Sequence, residues 1–309
     1  MRKAQPAELV LGSVQLGLPY GVANRTGMPS RESALSLVRR AASAGVTVDT
    51  ARAYGESEDR IGEALTSRKS TRTITKLSPL TELAPDASSA EVCVAVDASI
   101  NQSLDALRRN QLDCLLLHRA AHMTAFDGVV WNRLIERLED GTILSLGVSV
   151  QSPQEALTAL ACPDVQHIQL PFNILDWRWR AHGVIDRIAE RPHVTVHARS
   201  VFLQGLLASE DPAIWPKIPG VDAAYVLELL EGDAIHYDRA SIADLCVAYV
   251  RGQSWIDGLV IGMETEDQFD TNMRLFLKPP LAAHDCATIE QHLPRLPERL
   301  LDPAQWPRQ

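Results

Sequence analysis

Short apolar runs alternate along the chain with stretches in which apolar residues recur every three or four positions. The runs predict strands over residues 9–16, 46–49, 73–77, 112–118, 143–149, 165–170, 194–199 and 256–261. Between them the helical period is plain. Ser30 reads as an N-cap, followed by Ala34, Leu37, Val38, Ala41 and Ala42 on one face up to Gly45. Ile61, Ala64 and Leu65 mark a second helix, Ile100, Leu104 and Leu107 a third. Val130, Leu134, Ile135 and Leu138 mark a fourth, which Asp140-Gly141 ends with a glycine suited to a left-handed cap. Strands apolar on both faces, each followed by a helix, predict a parallel sheet covered by helices. Eight such units close as an α/β (β/α)8 TIM barrel, with the active site at the C-terminal ends of the strands. No Pro/Gly/Ser-rich linker divides residues 1–309, so a single domain is expected, with 277–309 as a C-terminal tail.

Composition narrows the function classes. With 46% hydrophobic and 22% charged residues the chain can bury a large core. A formal net charge of −9 argues against a nucleic-acid surface. No apolar run is long enough to span a bilayer, and residues 1–6 lack the apolar stretch of a signal peptide. Cys93, Cys114, Cys162, Cys246 and Cys286 form no C-x-x-C pair, which fits a reducing cytoplasm rather than a disulfide framework.

The chemistry gathers at strand ends. Asp49 closes the second run, and Tyr54 follows in a turn opened by Gly55. Lys76 lies at the end of the third run and His118 closes the fourth. Taken singly, each has an ordinary structural role: a turn or cap, a half-buried aromatic, a solvated charge, a core histidine. Together they make a proton-transfer site. A phenol has an unperturbed pKa of about 10, and a neighbouring ammonium favours its ionised form. Asp49 would hold Lys76, and His118 would orient a carbonyl oxygen beside the phenol.

These residues resemble the D-T-A-x-x-Y-G stretch, strand-end lysine and L-L-H of the aldo-keto reductase family. Further matches are Gly147-Val148-Ser149, the Gln169 to Asn173 stretch, Arg199 to Leu207 (R-S-V-F-L-Q-G-L-L), and Gly262, Gln268 and Asn272 near the C-terminus. The resemblance implies NAD(P)(H)-dependent interconversion of a carbonyl (aldehyde, ketone or sugar-like) and an alcohol, with Asp49, Tyr54, Lys76 and His118 catalytic. It implies that Ser149 and Gln169 bind the nicotinamide carboxamide. Arg199, Gln204, Gly262, Glu264, Gln268 and Asn272 would complete the cofactor site.

The sequence departs from the family at three places. Arg199 stands where relatives often carry an aromatic residue against the nicotinamide; it could stack there, bind a pyrophosphate, or pair with a carboxylate. Glu264 stands where a cation usually meets the 2′-phosphate of NADP(H), so NAD(H) and NADP(H) both stay open. Residues 1–7 are too short for the hairpin that often plugs the barrel. The tail either folds over the mouth or packs outside. Tyr20, Asn24, Phe172, Trp177 and Trp179 are rim candidates for a small-molecule substrate, and Arg52 and Arg119 lie close to Tyr54 and His118. Three other readings remain: an accessory or regulatory nicotinamide-nucleotide-binding protein without turnover, a non-redox dehydratase or epimerase on the same barrel, and a metal site from His118, His122, His193 and His197.

Overall fold

In the computed structural model, which describes residues 6–21, 24 and 27–307, the apolar runs become parallel strands. They are β1 (Glu8–Gly12), β2 (Thr47–Asp49), β3 (Thr73–Lys76), β4 (Cys114–Leu117), β5 (Leu146–Ser149), β6 (His167–Pro171), β7 (Thr195–Arg199) and β8 (Gly258–Gly262). Each pairs with its successor, and β8 closes onto β1 in the register Glu8↔Gly258 to Gly12↔Gly262. The barrel is an eight-stranded (β/α)8 fold.

Helices α1 (Arg31–Ser43), α2 (Ser57–Ala64), α3 (Ser89–Leu107), α4 (Val129–Glu139) and α5 (Pro153–Ala161) follow the first five strands. Two short helices, α6 (Arg178–Ala181) and α7 (Val184–Ala189), follow β6, and α8 (Ala223–His236) and α9 (Ile242–Arg251) follow β7. After β8 come α10 (Glu266–Leu277), α11 (Ala283–His292) and α12 (Glu298–Leu301). The expected caps form. Ser30 Oγ accepts from Ser33 N at 3.1 Å, and Gly141 takes φ +79° just past the end of α4. At α3, Ser88 and Glu91 build a reciprocal capping box.

The strands are shorter than the apolar runs. The run at 9–16 yields a strand only to Gly12; Ser13 N then donates to Asp49 O, and Val14–Leu16 turn as a 3-10 helix. That turn delivers Gly17 against the Tyr54 carbonyl so closely that a Cβ would lie 1.8 Å from its oxygen. On the run at 143–149, Ile143 makes only an isolated bridge to Leu112, and the strand begins at Leu146.

Two separate apolar regions result. The larger lies between the sheet and the helices. Ile74, Cys114 and Leu116 form a distinct cluster on the inward-facing positions, the alternate residues of β3 and β4. Polar groups share this interior. The His167 and His197 rings meet edge to face at 4.4 Å, and Cys114 Sγ lies 3.5 Å from His167 Nδ1. Gly258 makes room for this pair: a Cβ there would lie 2.9 Å from the His197 ring.

The tail packs beside the mouth rather than hanging free. Trp177 Nε1 donates to Leu296 O at 3.0 Å, and Gln151 Nε2 to Asp302 Oδ1 at 3.1 Å. Trp306 Nε1 donates back to Leu300 O, closing the last turn on α12. Of the N-terminal expectation, residues 1–5 lie outside the described residues, as do 22, 23, 25 and 26 of the loop after β1.

Candidate active site

Adjacent strands bring the four predicted residues together. Asp49 and Lys76 close β2 and β3, and both are almost fully buried. Lys76 Nζ donates to Asp49 Oδ1 at 2.7 Å and to Thr50 O at 2.8 Å. The ammonium sits 5.1 Å from the centroid of the Tyr54 ring. Burial works against its charge, but Asp49 and then Tyr54 outweigh that, and the pKa of Lys76 lies above the usual lysine range. His118 follows β4, its ring edge to face with Tyr54 at 5.8 Å. Burial, then Lys76, Arg199 and Arg119, push its pKa down to about 3, so the ring is neutral at working pH.

The turn bearing Tyr54 is fixed from several sides. Thr50 N donates to Ile74 O at 2.8 Å and Arg52 N to Lys76 O at 3.2 Å, which stitches the turn to β3. Gly55 takes φ +56°, and a Cβ there would lie 2.4 Å from Gly17 O, so only glycine suits this crossing. Beneath, fully buried Glu58 accepts from Thr75 Oγ1 at 2.6 Å and pairs with Arg52 at 2.5 Å. Glu58 thus ties the Tyr54 turn to the Lys76 strand. Sequence reading missed it; its place next to Ser57, second in an eight-residue amphipathic helix, gave only a surface signal.

Gln169 has a role the sequence did not announce. Its Nε2 donates to Asp49 Oδ2 at 2.7 Å across the barrel, leaving its buried Oε1 without a protein partner. Asp49 is therefore held from both sides, by Lys76 and by Gln169. Ser149, nine-tenths buried, is the register partner of Gln169 on β5.

The family model for the aldo/keto reductases matches residues 8–294. The chain belongs to that family. Membership makes it an NAD(P)-dependent oxidoreductase of carbonyl and alcohol groups. Among solved structures it is similar to the aldo-keto reductase AKR11C1 from Bacillus halodurans in its holo form. That match has 22% identity and a TM-score of 0.75, with 97% of each chain covered. It is also similar to the thermostable aldo-keto reductase Tm1743 solved with the inhibitor epalrestat, at 19% identity and TM-score 0.68, with 92% of this chain and 94% of that one covered. At these identities the likeness is one of fold. No match was found among curated proteins.

The remaining residues predicted for the cofactor site close or follow β7 and β8. Arg199 closes β7 and donates through Nη2 to Val150 O at 3.2 Å and Gln151 Oε1 at 2.7 Å. In the next turn Ser200, Leu203 and Gln204 all take positive φ, with Leu203, Leu206 and Leu207 buried as anchors. Non-glycine residues in that region cost energy and concentrate at binding sites. Gly262, at the end of β8, leaves room for the Gln15 side chain, which a Cβ would meet at 2.4 Å. Gln15 Oε1 is itself buried and unpartnered; it too escaped the sequence reading. Thr265 caps α10 by accepting from Gln268 N at 3.2 Å, and Gln268 Oε1 accepts from Glu264 N at 2.7 Å. Asn272 Nδ2 donates to Gln268 O at 2.9 Å. Glu264, Glu266 and Asp267 place carboxylates at this helix start.

The residues of the metal reading do not converge. His118 is at the mouth, His197 is in the barrel interior beside His167, and His193 is exposed ahead of β7. Among the described residues no group of three or more His, Cys, Asp or Glu side chains could hold a metal. Nor is any described helix long and apolar enough to cross a membrane.

Proposed function

We propose that Tyr54 is the general acid and base of a carbonyl–alcohol oxidoreductase, supported by Lys76, Asp49 and His118. The observation that carries this is the buried Asp49–Lys76 pair at 2.7 Å, with its ammonium against the Tyr54 ring. The residues present fit a nicotinamide dinucleotide. Buried Gln169 Oε1 is a sealed acceptor for a carboxamide N–H, and Ser149 beside it offers a hydroxyl. When bound, the nicotinamide supplies or accepts the hydride. Everything else falls to this chain.

In the reductive direction Tyr54 gives its phenolic proton to the oxygen of the substrate carbonyl, and in the oxidative direction its phenolate takes the alcohol proton. Lys76 stabilises the phenolate by its charge. Asp49 and Thr50 O hold that ammonium in place, and Gln169 holds Asp49. His118, neutral and therefore carrying one N–H, orients the same oxygen.

At the adenosine end Glu264, with Glu266 and Asp267 on the first turn of α10, disfavours a 2′-phosphate. The site therefore prefers NAD(H) to NADP(H), with the ribose hydroxyls facing Glu264, and with Gln204, Gly262, Gln268 and Asn272 completing the dinucleotide site. Fluorescence titration with NADH and NADPH, followed by turnover of an aldehyde panel, tests this reading. Tighter NADH binding with aldehyde-dependent oxidation supports it. Binding of neither dinucleotide at millimolar concentration would remove it in favour of non-redox chemistry on the same residues.

A further inference from the structure

Arg199 is the charged group at the mouth that proton transfer leaves unused. A guanidinium carries five N–H groups in a planar fork. In Arg199 the two on Nη2 meet neutral oxygens, Val150 O and Gln151 Oε1. The Nε and Nη1 hydrogens have no hydrogen-bond acceptor among the described residues, and no carboxylate there lies within ion-pair distance. Asp302 of the tail is connected to it only through the Gln151 amide. Arg199 is partly enclosed, and burying a cation without an anion is costly. Burial indeed holds its pKa below the usual arginine range, against the pull of Tyr54, Tyr20, Asp49 and Asp302.

The chain as a whole is acidic, at −9. At the mouth, however, Asp49 is matched by Lys76 and Asp302 reaches Arg199 only through Gln151, which leaves the Arg199 cation without a direct anionic partner beside Tyr54 and His118. Such a field concentrates anions, and a free guanidinium fork matches a carboxylate or phosphate.

We propose that Arg199 is a specificity-determining anion anchor, and that the carbonyl substrate carries an acidic group, a carboxylate or a phosphate, which Arg199 binds while Tyr54 and His118 face the carbonyl. This rests on the redox reading of the site. A substrate acid suits Arg199 better than the dinucleotide's pyrophosphate does, because Arg199 shares its space with Tyr54 and Tyr20 at the reacting end. The start of α10, on the loop after β8, belongs to the phosphate-bearing half.

The test compares 4-carboxybenzaldehyde with its methyl ester as substrates, in the wild type, Arg199→Gln and Arg199→Lys. In parallel, calorimetry on the NADH-loaded protein measures binding of 4-(hydroxymethyl)benzoate and its ester. The wild type favours the acid in kcat/KM, and Arg199→Gln cuts the acid-to-ester ratio by about 10–100-fold, the worth of a charged hydrogen bond. Arg199→Lys retains part of that ratio, and calorimetry follows the same order. Equal use of acid and ester by the wild type would overturn the proposal. So would weakened NADH binding in Arg199→Gln with the ratio unmoved, which assigns the anion to the pyrophosphate. If neither aldehyde turns over, the redox reading fails and calorimetry alone decides: acid binding lost in Arg199→Gln supports the anchor, and equal binding rejects it.

Discussion

A buried lysine is costly unless its charge is matched and its N–H groups are engaged. Lys76 meets both demands with one carboxylate and one carbonyl, and the position so fixed is what places its charge against Tyr54. Glu58 belongs to the same scaffold, since it joins Arg52 to Thr75 one layer below. Glu58→Gln keeps the shape but weakens both contacts. We expect a stability loss of about 1–3 kcal/mol and a fall of roughly tenfold or more in kcat, with KM less affected, because a small misplacement of reacting groups is expensive. Urea unfolding and steady-state kinetics read the two effects; an unchanged kcat would mean that the Tyr54 turn does not depend on Glu58. The four predicted residues could be picked out in sequence because Asp49, Lys76 and His118 lie at the ends of apolar runs and Tyr54 follows Asp49 within one turn. Glu58, Gln151 and the Gln169–Asp49 bond were not, because they depend on which residues face each other across the closed barrel.

At the scale of elements, strand–helix alternation and caps such as Ser30 and Gly141 were readable from local pattern. The strand starts were not. Where the chain is apolar on both sides of a strand boundary, as at 143–149, only pairing with the neighbours decides where the ladder begins. In the proposed function the start of α10 is the element that selects the cofactor. Glu264→Arg replaces a repelling charge by an attracting one at the position where the family usually carries a cation. The ratio of NADPH to NADH affinity should then rise by about tenfold or more, the worth of one charge-assisted contact. Fluorescence titration measures it, and an unmoved ratio would show that position 264 does not face the 2′ carbon.

For the molecule as a whole, the barrel interior sets the response to acid. Burial, first of all, drives the pKa of His197 down to about 3 and that of His167 well below the usual histidine range. Both are neutral in the fold, whereas the unfolded chain takes up protons near pH 6.5. Their contribution is complete above about pH 6.5 and is lost as pH falls toward the folded pKa, with a slope of up to ~1.4 kcal/mol per unit for each ring. The free energy of unfolding should therefore drop between pH 7 and 5, before most carboxylates titrate. Urea titrations at those two pH values check this, and equal stability would place the two rings in contact with solvent. Nothing in the sequence marked His167 and His197 as partners: their strands are adjacent, but the edge-to-face meeting depends on both strands turning the same alternate residues inward.

The most direct test of the central claim is single-turnover aldehyde reduction by Tyr54→Phe, with dinucleotide binding followed on the same samples. The account predicts a rate loss of about 10²–10⁴-fold, with dinucleotide affinity close to that of the wild type. A rate close to the wild type's, or a loss explained by failure to bind the dinucleotide in a folded protein, would contradict the assignment of Tyr54 as the proton donor.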